Sequence, residues 1–228
     1  MIEMKVKIYS ATQGKAADTA LYKSLHTIVR HSLFIKEYNT ESLHKCYNEF
    51  IADARENNIE LAVLVHDDVW INTDDLFRRL AEAHGKYTLF GLAGATECVR
   101  HTPALWHLMS HRSTHRGCVA HGSPDEYLYT SFGPLNDRVL VIDGVLMGIN
   151  LNELPEDVKF DERFPSRFHY YDLDFSLTCN KNKLKIGVVD IPVIHASGGL
   201  SSPDQEFYNG QNYFLKKWFG DNLNTTRA

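Results

Sequence analysis

The sequence has little cysteine: Cys46, Cys98, Cys118 and Cys179 are four in 228 residues, far apart and with no C-x-x-C pair. That spacing argues against a zinc knuckle and suits reduced, buried or idle thiols in a cytosolic compartment. No apolar run approaches about 18 residues, so no membrane span is expected. The N-terminus lacks a signal peptide's apolar core, so the expected location is cytoplasmic. Asn224-Thr225-Thr226 matches a glycosylation sequon and, without a secretory signal, is read as chance. Positive charge is not in excess: 24 Lys and Arg stand against 29 Asp and Glu, a net charge of −5. Such a chain lacks the basic face that displaces counterions from nucleic acid, so no nucleic-acid partner is expected. An anionic ligand could still be bound where a metal supplies positive charge. There is no Pro/Gly linker and no internal repeat, so residues 1–228 read as a single domain. At this size a chain buries roughly 70% of its unfolded surface and needs no disulfide or structural metal.

What is present is alternation. Met4–Ser10 reads as a first strand, with a polar turn at Thr12–Lys15. Leu21, Leu25, Ile28 and Val29 have helical spacing within Ala16–Leu33, and Leu33–Ile35 reads as a short strand. Thr40-Glu41-Ser42 opens a helix whose apolar face is Leu43, Tyr47, Phe50 and Ile51. Glu60–Val65 is nearly continuous in apolar residues, as in a strand buried on both faces of a parallel sheet. Thr73-Asp74-Asp75 starts a helix running to about Ala83, and Tyr87–Ala93 reads as a strand. Residues 96–136, rich in His, Arg, Ser, Gly and Pro, read as a long functional loop with one short hairpin. Arg138–Ile142 and Val145–Ile149 return to strand character, Tyr171–Asn180 is helical, Lys185–Ile194 is a strand leading to His195, and Asp204–Phe219 is a terminal helix. The fold class is α/β, with a mainly parallel sheet flanked by helices on both faces.

Three places carry chemistry. His66-Asp67-Asp68 follows the apolar strand directly. Ligands of open α/β sheets bind at the carboxyl ends of strands, where acidic groups can hold a divalent cation that also grips a diphosphate. The alternative is that one Asp caps the next turn and the other is solvated. Asp172-Leu173-Asp174 is the second carboxylate site. On a helix these side chains are about 200° apart, so at most one points into a site and the other caps or supports the helix. His195 ends a strand before a Ser/Gly-rich loop, and an imidazole there can ligate a metal or be structural.

The order of these pieces resembles the GT-A glycosyltransferases, and more narrowly the small family 2-like members. The pieces are Ala62–Ile71 (AVLVHDDVWI), Val141–Gly148 (VIDGVLMG), Phe168–Leu177 (FHYYDLDFSL) and Val189–Ser197 (VDIPVIHAS). The resemblance spans about residues 4–219. It implies a single GT-A (Rossmann-like) domain, with a nucleotide-sugar half at about 1–100 and an acceptor and catalytic half at about 101–228. It implies a sugar donor that is a nucleotide diphosphate sugar, a UDP-sugar foremost, and a glycan or other hydroxyl acceptor. It makes Asp68 and His195 metal ligands for Mn²⁺ or Mg²⁺, with His66 or Asp67 completing the donor site, and Asp172 the catalytic base. Ser10, Ala11 and Thr12 would lie at the nucleotide base and ribose, and Gly144 in the turn beneath the donor sugar and acceptor. One base without a covalent intermediate would give inversion at the anomeric carbon. The sequence departs from the pattern at three places: Tyr171 stands where many relatives have Glu, the acidic motif is His-Asp-Asp rather than Asp-x-Asp, and Ser176–Lys181 replaces an Arg-rich segment.

Other readings remain at this point. A nucleotidyltransferase would carry a Gly-rich phosphate loop, but Ala11–Lys15 holds only one Gly and Gly91–Gly94 is no dinucleotide fingerprint. A metal-dependent phosphohydrolase could use the same His and Asp residues, although two-metal sites gather more ligands. A sugar-nucleotide or glycan-binding module without catalysis is the third. His107, His111, Arg112, His115, Arg116 and His121 read either as a mobile lid or as a solvated loop. Trp106 reads as sugar-stacking or packing, and Tyr208, Tyr213, Phe214, Trp218 and Phe219 as core anchors.

Overall fold

The computed structural model describes residues 4–25, 32–197 and 203–220. In chain order the elements are β1 (Val6–Ala11), α1 (Ala20–Leu25), β2 (Leu33–Lys36), α2 (Leu43–Glu56), β3 (Leu61–Val65), β4 (Val69–Ile71), α3 (Leu76–His84), β5 (Leu89–Gly91), β6 (Ala93–Ala95) and α4 (Trp106–Met109). They continue with β7 (His115–Ser123), β8 (Glu126–Ser131), β9 (Val141–Ile142), β10 (Leu146–Asn150), α5 (Tyr171–Lys181), β11 (Ile186–Val188), β12 (Val193–His195) and α6 (Gln205–Phe219). Ile28, Val29 and the Asn224 sequon lie outside the described residues.

The main sheet runs β11-β5-β10-β3-β1-β2. Its pairs are parallel except where β10 lies antiparallel between β3 and β5. Strand residues alternate faces. On β3, Leu61, Val63 and Val65 pack with Leu21 and Leu25 of α1, Leu76 and Leu80 of α3 and Phe214 of α6. Ala62 and Leu64 face the other way, into Tyr47, Phe50 and Ile51 of α2 and Phe175 of α5. Helices therefore cover both faces, which is why β3 is apolar at every position. Ser42 caps α2 by accepting from the Lys45 amide, and Asp204 caps α6 by accepting from the Phe207 amide.

A second sheet, β4-β12-β7-β6-β9 with β8 on β7, grows from the ends of the first. Strands β3, β5 and β11 are each followed within a few residues by a strand of this second sheet. Two sequence expectations are corrected here. Tyr87–Ala93 is not one strand: β5 and β6 belong to different sheets and part at Leu92. Lys185–Ile194 likewise splits into β11 and β12. Between them Pro192 has no amide to donate, and Arg79 of α3 draws Asp190 aside through its backbone carbonyl (2.7 Å) and carboxylate (2.8 Å).

The 96–136 segment is more ordered than its composition indicates. β7 has nine residues and pairs with β6, β8 and β12. Gly117 and Gly122 take positive φ (97° and 131°), and a Cβ on either would strike facing backbone oxygens at 2.0 and 2.3 Å. Glycine thus permits strand pairing in a stretch whose side chains carry little β preference. Of the terminal aromatics, Phe214 is buried and Tyr213, Trp218 and Phe219 pack on the core. Tyr208 is 47% exposed and outside the core, meeting only the edge of the neighbouring Phe207 ring among the described aromatic contacts.

Candidate active site

The junctions between the two sheets line a cavity of about 1090 Å³. The His66-Asp67-Asp68 turn lies between β3 and β4, and three separate segments fix its backbone. The His66 amide donates to Val145 O (3.1 Å), Asp67 O accepts from the Leu21 amide (3.1 Å), and Asp68 O accepts from the Ala196 amide (3.0 Å). Antiparallel pairing of β12 with β4 sets His195 opposite Val69, beside this turn. His66, Asp68 and His195 consequently offer ligand atoms that all lie within 4.8 Å of one another. His195 Nε2 is 3.3 Å from Asp68 Oδ1. The contact lacks hydrogen-bond geometry, so the buried Nε2 has no hydrogen-bond partner among the described residues. A buried nitrogen without a donor or acceptor is costly unless something else satisfies it. Two imidazoles and a carboxylate at this spacing fit a divalent transition metal.

The electrostatics agree with that composition. Burial would raise the Asp68 carboxyl, but the His195 and His66 imidazoles beside it hold it below its ordinary value. Burial, with His195 nearby, lowers the His66 imidazole and keeps it neutral, the form that ligates metals. His66 Nε2 lies 2.5 Å from the Tyr171 hydroxyl.

Asp172 and Asp174 part company as their helical spacing predicts. Asp174 is 1% exposed and turned to α6, where Lys217 (2.9 Å) and Trp218 Nε1 (2.7 Å) meet it. Asp172 lines the cavity. Its Oδ2 accepts from the Gly144 amide (2.9 Å) and its Oδ1 from the Leu173 amide (2.8 Å). Burial, reinforced by the Asp143 carboxylate, raises it to about 7. A carboxyl poised there can take and return a proton near neutral pH.

The other expected positions divide. Ala11, Thr12, Asp67 and Gly144 line the cavity. Ser10 does not: it is fully buried, and its hydroxyl has no hydrogen-bond partner among the described residues. On β1 it alternates with Ala11 and faces the interior. The His/Arg segment is not one lid. His107 and His121 line the cavity, while His115 is buried against Ser110 (2.9 Å) and Arg116 pairs with Asp137 (2.6 Å). Trp106 is 2% exposed and packed on Phe132 and His115, and it also lines the cavity.

Sequence reasoning missed several residues. Asp143 lines the cavity, its Oδ1 accepting from the Val145 amide (3.2 Å). Its signal was available, an Asp-Gly pair between two apolar runs. His121 was among the expected loop histidines, but its place in register with His195 on the neighbouring strand, the rings 5.9 Å apart, is announced by no local pattern. Phe168 lines the cavity while 51% exposed, near the His66 ring.

Residues 28–218 match the family described as Glycosyltransferase like family. No curated protein matches the chain. Among solved structures, A197 from STIV is similar over 82% of each chain, at 10% identity and a TM-score of 0.49. A glycosyltransferase involved in the glycosylation of the major capsid of PBCV-1 is similar over 91% of this chain and 99% of its own, at 11% identity and a TM-score of 0.41. A protein assigned as a nucleotide-diphospho-sugar transferase, from Desulfovibrio desulfuricans G20, is similar over 93% of this chain and 77% of its own, at 10% identity and a TM-score of 0.39.

Proposed function

The chain belongs to a glycosyltransferase-like family, and from that premise we propose that it moves a sugar, with inversion, from a nucleotide diphosphate sugar to a hydroxyl of a glycan or other acceptor. The donor is a UDP-sugar in the first instance. The observation that carries the reading is that Asp172 and the His66, Asp68 and His195 cluster line one cavity. Ala11 and Thr12 border the same space, at the carboxyl end of β1, and would meet the nucleoside.

A divalent ion, Mn²⁺ or Mg²⁺, held by His66, Asp68 and His195 would supply positive charge to the departing diphosphate. The remaining work falls to the chain. Asp172 takes the proton of the attacking acceptor hydroxyl while that oxygen bonds to the anomeric carbon. The bond from that carbon to the diphosphate oxygen breaks, and its electron pair leaves with the nucleoside diphosphate. Gly144 and Leu173 keep the Asp172 carboxylate in place through their amides. Asp67 and Gly144 would border the donor. Raising the Asp172 carboxyl to about 7 makes it a stronger base than an exposed Asp.

The test compares wild type and Asp172→Asn with a nucleotide-sugar donor, following product by NMR. Donor binding without transfer in the variant, and an inverted anomeric signal in the wild-type product, support the reading. Wild-type turnover by Asp172→Asn removes the base, and a retained anomeric configuration removes the single displacement.

A further inference from the structure

The Tyr171 hydroxyl lies 2.5 Å from His66 Nε2. Its position leaves little freedom. Tyr171 opens α5 and is 3% exposed. The ring meets Tyr47 edge-on, with centroids 5.3 Å apart and planes at 90°, and meets His44 in the same manner at 6.2 Å. The Asp143–Val145 turn passes directly over the hydroxyl. A Cβ at Gly144 would lie 2.0 Å from the Tyr171 oxygen and 2.5 Å from the ring carbon bearing it. Glycine at 144 is thus what lets the hydroxyl reach His66.

An imidazole has two nitrogens, and the hydrogen bond made by one decides what the other can do. With the Nε2 edge of His66 occupied by Tyr171, the edge left for an ion is Nδ1. We infer that Tyr171 is a positioning residue: its oxygen accepts the Nε2 proton of His66 and so keeps the Nδ1 lone pair free for a divalent cation shared with Asp68 and His195. A metal-bound histidine commonly donates its other N–H to an oxygen in this way, and loss of that oxygen costs 10–100-fold in metal affinity. The inference rests on the proposed ion site. The same residue begins the helix that presents Asp172, so one turn of α5 sets both the His66 ring and the base.

Two measurements on the full chain test this. The first is the long-range ¹H–¹⁵N spectrum of the imidazoles in labelled protein without added metal, with the His66 signals identified by their loss in His66→Gln. The expected result is a proton on Nε2 in wild type, and a shift toward the Nδ1-protonated form in Tyr171→Phe, which keeps the ring packing. The second is a Mn²⁺ titration without donor, read by the electron paramagnetic resonance of free Mn²⁺. Tyr171→Phe is expected to bind about 10–100-fold more weakly than wild type. A wild-type His66 protonated on Nδ1 overturns the inference even if the variant fails to fold, and so does an unchanged Mn²⁺ affinity in Tyr171→Phe. A wild type with the Nε2 proton that binds no Mn²⁺ removes the ion site itself, and the role of Tyr171 with it, leaving only the hydrogen bond.

Discussion

The Gly144 amide donates to Asp172 Oδ2 at 2.9 Å, joining the turn before β10 to the first turn of α5. This bond and the Leu173 amide both favour the charged carboxylate, yet burial prevails and raises the group to about 7. Between about pH 4 and pH 7 the folded protein therefore holds a proton on Asp172 that the unfolded chain has released. Stability attributable to this group falls as pH rises through that window.

Asp172→Asn removes the effect. Relative to wild type, the variant should gain roughly 2–4 kcal/mol between pH 4 and pH 8. Urea unfolding at the two pH values measures this; parallel stability curves would contradict the raised carboxyl. Wild-type transfer should rise with pH through about 7, as the base loses its proton.

Asp174→Ala should behave in the opposite sense. Its carboxylate is paired with Lys217 and bonded to Trp218, tying α5 to α6. Asp174 is buried, but Lys217 is a quarter exposed and keeps Asp161 as a partner (2.8 Å). The cost is therefore about 1–3 kcal/mol, chiefly from the Trp218 Nε1 donor left without its acceptor. Urea denaturation at pH 7 is the check, and a midpoint equal to wild type would show that α6 is held by its apolar contacts alone.

Gly144→Ala should destabilise the chain by about 1–3 kcal/mol, the usual range for overpacking. Its methyl would have to occupy the place of the Tyr171 hydroxyl. Calorimetry reads the loss. A melting temperature equal to wild type would mean that the turn can lift off Tyr171 without cost.

His44→Phe addresses a second buried titratable group. His44 is fully buried, stacked on Phe164 at 4.8 Å, and neither ring nitrogen has a hydrogen-bond partner among the described residues. Burial lowers it to about 4. The unfolded chain then binds the extra proton between about pH 6.5 and pH 4, so wild-type stability falls as pH drops through that window. Phenylalanine keeps the stacking without the titration. The variant should gain up to about 3 kcal/mol on wild type between pH 7 and pH 4. A constant difference in melting temperature across that range would contradict it.

Much of the fold was legible because burial writes itself into sequence. The unbroken apolar run of β3 and the cap before α2 have one physical reading each, and both recur in the structure. What was hidden depends on partners distant in sequence. The ordered β7 is held by strands on either side and by glycines at positive φ, so its composition looks like loop. The division of Asp172 from Asp174 followed from helical geometry alone. The meeting of His66 with Tyr171, 105 positions apart, and of His195 with His121 did not. Ser10 was placed from resemblance, and the alternation of β1 turns it inward.

The most direct measurement is thermal stability against a panel of nucleoside diphosphates and their sugars, with and without Mn²⁺. A ligand that binds only the folded chain stabilises it by RT ln(1 + [L]/Kd), so the shift reports binding without knowledge of the acceptor. The expected result is a rise in melting temperature with one nucleoside diphosphate, uridine foremost, that requires Mn²⁺ and is lost in Asp68→Ala and His195→Ala. No shift with any nucleotide, or an equal shift with and without the metal in both variants, would contradict a metal-assisted nucleotide-sugar site in this cavity.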